Sequence, residues 1–261
     1  MRKFINISLL ILTLTLVVAM SVYCIHDHFN DNLKDVNLTI SRNVDKGFID
    51  YEETYKMIMD ICDTANNQQI KNIPVDSVVN GLMAIPWVTD AKASINLKTY
   101  LDVEIEECEP IARVYNKKRQ SVYVDNEGNM FPVSEKYVPH LLVVSGIDFP
   151  IKEYGNVNDE IYSESELPET FALINDVLDN DYAKCCVKQI YHDENKKYIF
   201  SMNNTNIIVI FGDVNNNKEK LVKMRHFFDK MQGNPELDGY KEINLNYKNQ
   251  VVCTKIKSKK K

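Results

Sequence analysis

Ala91-Lys92-Ala93-Ser94-Ile95-Asn96-Leu97 and Leu101-Asp102-Val103-Glu104-Ile105-Glu106 alternate apolar and polar residues through two consecutive runs. A period of two is the mark of strands buried on one face. Ala91, Ala93, Ile95 and Leu97 share one face of the first strand, with Lys92, Ser94 and Asn96 on the other. A turn near Lys98-Thr99 leads into the second, where Leu101, Val103 and Ile105 face in and Asp102, Glu104 and Glu106 face out. Those carboxylates have the look of paired groups for acid–base chemistry, but at alternate strand positions they form a solvated sheet face, and that is the reading adopted.

Upstream, Asp50-Tyr51-Glu52-Glu53 sets an N-cap residue three positions before a glutamate, a capping-box pattern. The helix it opens carries Tyr51, Tyr55, Ile58, Ile61 and Cys62 along one face. A second helix starts near Pro74, where proline suits the first turn, and buries Val75, Val78, Val79 and Leu82. Pro86 stops it, and the chain's one tryptophan, Trp87, follows. Asn37-Leu38-Thr39-Ile40-Ser41 alternates as a short strand. Residues 37–108 are therefore expected to fold as strand–helix–helix–strand–strand, one sheet with two helices on one face, a complete two-layer core.

Before this unit, the run from Phe4 to Ile25 contains no charged residue. At about 1.5 Å per residue it spans roughly 30 Å as a helix, enough to cross the hydrocarbon core of a bilayer. Arg2 and Lys3 precede it, whereas Asp27, Asp31 and Asp35 follow it with only Lys34 opposing them. The positive-inside rule then predicts a cytoplasmic N-terminus (1–3), a transmembrane helix (4–25), a polar linker (26–36) and an extracytoplasmic body. A cleaved secretory signal starts with the same basic residues, but its apolar core is usually only about 7–15 residues long. Ala19-Met20-Ser21 offers a small-x-small cleavage site, yet Val22, Tyr23, Cys24 and Ile25 carry the apolar run past it, so an uncleaved anchor is expected. Tyr23 just before Cys24 argues against a lipoprotein acceptor.

Residues 109–256 read as a second, strand-rich region. Ser121–Asp125 is a strand, and Asn126-Glu127-Gly128-Asn129 supplies turn residues before Met130-Phe131. Phe171 to Leu178 is helical, with Phe171, Ile174, Val177 and Leu178 apolar. Val187 to Tyr191, Tyr198 to Met202 and Ile207 to Phe211 follow as strands. Lys218 to Met231 is an amphipathic helix with Leu221, Met224, Phe228 and Met231 on one face, ended by Gly233 and Pro235. Tyr240 to Tyr247 and Gln250 to Ile256 form a last strand or hairpin, and residues 257–261 a basic tail. The expected fold class is α+β.

The composition narrows the function. A formal net charge of −6 disfavours nucleic-acid binding. The basic tail, Lys255, Lys257, Lys259, Lys260 and Lys261, is read as a solvated end, with an acidic partner or lipid head groups as the sharper alternative. Outside the anchor, Cys62, Cys108, Cys185, Cys186 and Cys253 are odd in number and lack paired spacing, so small buried hydrophobes with at most one disulfide are expected. On a strand, adjacent Cys185 and Cys186 would point to opposite faces and could not bridge without strain. His26, His28, His140, His192 and His226 are scattered. The His26-x-His28 pair, placed in the linker, lacks further ligands at suitable spacing. Cys185, Cys186 and His192 lack an accompanying acid and oxyanion loop, and Ser145-Gly146 lacks a nucleophile-elbow pattern. The eight glycines form no phosphate-binding loop. Neither catalysis, nor a metal, nor a cofactor is expected.

Five motifs carry a resemblance. Pro86-Trp87-Val88, followed by Ala91-Lys92-Ala93, enters the alternating strands. Glu107-Cys108-Glu109-Pro110-Ile111-Ala112 joins the two regions. Asp125-Asn126-Glu127-Gly128-Asn129-Met130-Phe131 forms a hairpin, and Pro139-His140-Leu141 precedes Gly146. Tyr240-Lys241-Glu242-Ile243-Asn244-Leu245-Asn246-Tyr247 is the late strand. In order and spacing these resemble the bacterial cell-division FtsQ (DivIB) family across nearly the whole chain. Cys108 stands where that family usually has Arg, Lys98 near an expected turn proline, and Asn244 and Asn246 in place of its Asp and Arg, so the chain is similar to a divergent member. The resemblance implies an assembly protein: a POTRA-like first domain for recruitment to the division site, and a β-domain that binds the membrane-anchored coiled-coil partners FtsB (DivIC) and FtsL. The set regulates septal peptidoglycan synthesis. Localisation at the division septum in the cytoplasmic membrane follows from the same resemblance. An edge strand near the C-terminus could be extended by a partner strand, with Tyr247, Lys248, Gln250, Val251 and Val252 as the expected contact residues; an ordinary terminal strand closing the sheet is the alternative. Two other functions share parts of this pattern: a POTRA-containing transport or secretion component, and a signal-cleaved secreted binding protein.

Overall fold

The computed structural model describes residues 2–43, 46–63, 69–152, 154–203 and 205–256, with the backbone alone for residues 2–8 and 27. Its contacts divide the chain into two units, Met1–Cys108 and Glu109–Lys261.

The first unit is strung as α1 (Arg2–Asn30), β1 (Asp35–Ser41), α2 (Tyr51–Asp63), α3 (Val75–Met83), β2 (Val88–Ile95) and β3 (Tyr100–Glu107). Apolar alternation decides the pairing. β3 lies in the centre, parallel to β1 with Leu38 opposite Val103, and antiparallel to β2 with Ala93 opposite Val103. Val36, Leu38, Ile58, Val78, Leu82, Leu101, Val103 and Ile105 make the core between this sheet and the two helices. The Asp50 carboxylate caps α2 by accepting from the Glu53 amide at 2.9 Å. Asp50→Ala is expected to cost about 1 kcal/mol. Trp87, stacked on Phe48 at 5.8 Å, reports this unit's denaturant midpoint by fluorescence.

Three local expectations are corrected here. Leu97 is 89% exposed rather than inward-facing, because β2 stops at Ile95 and Asn96 closes the turn. The Asn96 side-chain oxygen accepts from the Lys98 and Tyr100 amides at 2.9 and 3.2 Å, and Thr99 is left-handed at φ 68°. Tyr51 is exposed at the start of α2, while Thr54, Ile58 and Cys62 form the buried line. Finally, α1 continues to Asn30, into the stretch expected as linker and past His26 and His28, with the Asn30 side-chain nitrogen donating to the His26 carbonyl at 2.8 Å. Within α1, Leu9–Asn30 is long and apolar enough to cross a membrane, and its apolar side chains from Leu9 to Ile25 are exposed.

In the second unit, β4 (Pro110–Asn116), β5 (Ser121–Asp125) and β6 (Asn129–Pro132) form a meander. The Asp125 carboxylate closes the β5–β6 turn by accepting from the Glu127 and Asn129 amides at 2.9 and 2.8 Å. β7 (Leu142–Ile147), β8 (Gly155–Asn156), α4 (Leu167–Leu178), α5 (Asp181–Cys186), β9 (Val187–His192), β10 (Tyr198–Met202), β11 (Ile208–Gly212), α6 (Asn217–Met231), β12 (Tyr240–Asn244) and β13 (Val252–Lys255) follow. Among the described residues they make one ten-stranded sheet, in the order β13-β12-β11-β10-β9-β7-β4-β5-β6-β8. β7 is parallel to both β4 and β9, and β12 is parallel to β11 across the α6 connection. A single core joins Leu173, Ile174 and Val177 of α4 and Leu221 and Met224 of α6 to Val144, Ile190, Phe200, Val209, Phe211 and Ile243 of the strands. The alternate strand residues Tyr191, Ile208 and Val252 stay exposed on β9, β11 and β13, whereas Tyr123 on β5 and Phe131 on β6 are buried, so both faces are covered there. The mixed α+β class, with an N-terminal apolar helix and a strand-rich second region carrying a late helix, is the observed one.

Candidate partner-binding edge

β13 is the last strand of the sheet and has a strand neighbour on one side only, among the described residues. It pairs antiparallel with β12: Ile243 faces Cys253 and Asn244 faces Val252. The Ile256 amide donates to the Gly239 carbonyl at 2.8 Å, so it points toward β12. Successive strand residues aim their backbone groups to opposite sides. Thr254 and Val252 therefore also bond inward, and Cys253 and Lys255 turn their N–H and C=O to the open edge. Unpaired groups of this kind are a template for another strand.

The hairpin that presents this edge is held by side chains. At the end of β12 the Asn244 oxygen accepts from both the backbone and the side-chain nitrogen of Asn246, each at 3.0 Å. The Asn246 carboxamide lies directly over Gly212, where a Cβ would overlap it. From α6, the Lys223 ammonium donates to the Leu245 carbonyl at 2.7 Å and the Tyr247 carbonyl at 2.8 Å. Asn244 and Asn246, the two departures from the family pattern, thus bond to each other, and a lysine from the neighbouring helix takes up the carbonyls that follow.

Of the five expected contact residues, only Val252 lies on β13. Tyr247, Lys248 and Gln250 are exposed in the β12–β13 connection, which reverses at left-handed Asn249 (φ 58°), and half-buried Val251 packs against the core. The sequence reading does not single out Cys253 and Lys255, the two β13 residues whose backbone faces the open edge. The alternation of the last strand carried the signal for them, but deciding which parity faces out needed the position of the turn. Burial pushes the Cys253 thiol above its ordinary value, so it stays neutral and packs as a small apolar group. The Lys255 ammonium lies 5.7 Å from the centre of the Tyr240 ring.

The other residues singled out by sequence are dispersed. Asp102 is held below the usual carboxylate range by hydrogen bonds from Asn37 and Asn96, a use that ties strands and turn together. Cys185 and Cys186 end helix α5 instead of lying on a strand; Asn180 caps that helix by accepting from the Ala183 amide at 3.0 Å. Cys62 and Cys108 are buried, Cys186 and Cys253 are half-buried, and Cys185 is exposed, so the expectation of mostly buried thiols holds for only part of the set. His192 is buried against Tyr198, with ring centres 4.6 Å apart. Ser145 accepts from the Gln189 side chain at 3.1 Å. Tail residues Lys257, Lys259, Lys260 and Lys261 lie outside the described residues.

A family model described as "FtsQ/DivIB, C-terminal related" matches residues 109–254, the strand-rich sheet as far as Thr254 of β13. The cell division protein DivIB of Clostridium tetani (strain Massachusetts / E88) is 29% identical over 205 residues, which cover 73% of this chain and 71% of that protein. The family model alone takes in more than half of the 261 residues, and the chain belongs to the FtsQ/DivIB family as a divergent member.

Proposed function

We propose that this chain is a single-pass, membrane-anchored scaffold of the cell-division machinery that works by assembly rather than catalysis. Its second unit captures a membrane-anchored coiled-coil division protein of the FtsB/DivIC or FtsL kind by adding that partner's strand to β13, and the assembly helps to control septal peptidoglycan synthesis. The carrying observation is the open edge at Cys253 and Lys255, on a hairpin held by Lys223, Asn244 and Asn246. Family membership supports the cell-division role, and the apolar α1 supports the anchor. Residues 1–3 lie in the cytoplasm, and the 37–108 POTRA-like domain and the 109–256 β-domain lie outside it. Tyr247, Lys248, Gln250, Val251 and Val252 flank the added strand at the turn end of the hairpin.

Fluorescent full-length protein is expected to gather at mid-cell during division. The same chain cut before Tyr240 should still gather there but no longer recruit its coiled-coil partner. Uniform envelope fluorescence, with normal septation after depletion, would reject the reading.

A further inference from the structure

At the Lys255 end of the open edge, a groove of about 1230 Å³ runs across the strand ends of the second unit. Its described lining carries Lys188, Lys241 and Lys255 against one carboxylate, Asp238. This is a local reversal of sign in a chain whose formal net charge is −6. The three lysines come from different strands: Lys255 on β13 at the edge, Lys241 on the adjacent β12, and Lys188 on β9. Lys241 is ion-paired with Glu242 at 2.7 Å, which offsets part of its charge, and the Lys255 ammonium lies 5.7 Å from the centre of the Tyr240 ring. The sequence continues from Ile256 at this same end with Lys257, Lys259, Lys260 and Lys261. Thr254, Lys255 and Ile256 line the groove as well as the edge, so a chain leaving the edge in this direction enters it without a break.

We propose that the groove receives an acidic segment of the partner chain immediately flanking the strand added to β13; this rests on the strand-addition reading above. Four strand spacings separate β13 from β9, roughly 19 Å at about 4.8 Å each, which an extended chain covers in about six residues. The segment therefore carries its Asp or Glu residues within one short stretch next to the docking strand. It follows the strand if the partner runs parallel to β13, and precedes it if antiparallel. Charges at the rim of an interface act mainly by steering the encounter, so the groove selects an acidic partner and speeds its capture, while the backbone ladder holds it.

The test uses the full-length protein in nanodiscs of uncharged lipid and, as probe, the purified extracytoplasmic part of the cell's own DivIC-like protein. Lys188→Glu combined with Lys241→Glu changes neither outward-facing backbone position. The association rate should fall roughly tenfold at low salt, and the difference should shrink as salt rises. Lys188→Gln with Lys241→Gln, should the reversed pair misfold, is expected to give a smaller loss in the same direction. Equal rates for folded variant and parent, at low salt, would overturn the proposal. So would a loss that appears only when the discs contain phosphatidylglycerol, since lipid head groups would then be the anion. A Cys253→Pro control separates the two ideas: if it binds the probe like the parent, strand addition itself has failed. If it loses binding while the lysine variants do not, only the groove proposal has.

Discussion

Gly146→Ala is expected to destabilise the second unit by about 3 kcal/mol, among the larger effects a single methyl can have. Gly146 sits in β7 at φ +91°, in the left-handed region where a side chain costs roughly 1–2 kcal/mol. A Cβ there would also run into the backbone carbonyl oxygen of His192, well inside contact distance, and would touch the Tyr191 ring. That oxygen cannot swing away. His192 is paired with Tyr198 on β10, and β9 is held from the other side by the parallel register of Ser145 with Tyr191. The positive φ and the close His192 carbonyl require a glycine here, at the point where β7 carries one residue more than β4 between the Val114–Val144 and Asn116–Ile147 pairs.

The measurement is a thermal melt of the full-length protein, read at two places. Far-UV circular dichroism follows the strand-rich unit, whose midpoint should drop by roughly 6–12 °C. Trp87 fluorescence follows the first unit and should keep its midpoint. Gly239→Ala is the control, since no atom lies within 4 Å of its Cβ position and its φ is ordinary; it should melt like the parent. A loss below about 1 kcal/mol for Gly146→Ala would mean that β7 and β9 do not approach as closely as described.

Much of the first unit is legible in sequence because its signals are local. The Asp50 capping pattern, the Pro74 and Pro86 boundaries and the alternation of Leu101, Val103 and Ile105 each work over a few residues, and each has its counterpart in α2, α3 and β3. Leu97 was misplaced because periodicity says which face a residue occupies, but not where the strand stops; Asn96 stops it with two side-chain hydrogen bonds. The strand order of the second unit was not legible at all. β4 lies beside β7, and β7 beside β9, pairings between segments well apart in sequence that no local pattern specifies. Cys185 and Cys186 show the limit from another side. Asn180-Asp181 held a helix-cap signal, but the apolar, β-prone residues after it favoured a strand. At the candidate edge, the hairpin could be read from Tyr240 to Ile256, yet the turn at Asn249 decides that Cys253 and Lys255 face outward.

That parity gives the sharpest test of the edge, because prolines one residue apart are expected to fail in different ways. Cys253→Pro removes an N–H that faces the open edge, and proline is tolerated on edge strands in that orientation. Folding should change by no more than about 1 kcal/mol, while the lost donor and the ring's bulk should weaken strand addition about 30-fold or more, near 2 kcal/mol. Lys255→Pro should repeat the pattern. Thr254→Pro instead removes a bond to β12, at a cost of about 3 kcal/mol. It should release the hairpin from Lys223 and Asn246, so that stability and binding fall together. Partner capture by the full-length protein, measured beside hydrogen exchange of the β12 amides, separates these outcomes. Exchange at Glu242 and Asn244, whose amides face Thr254 and Val252 on β13, should stay slow in Cys253→Pro and become fast in Thr254→Pro. Parental affinity in Cys253→Pro with slow exchange would leave β13 intact but unused. The partner would then have to dock elsewhere, because strand addition at this edge cannot lose the Cys253 donor and keep its full affinity.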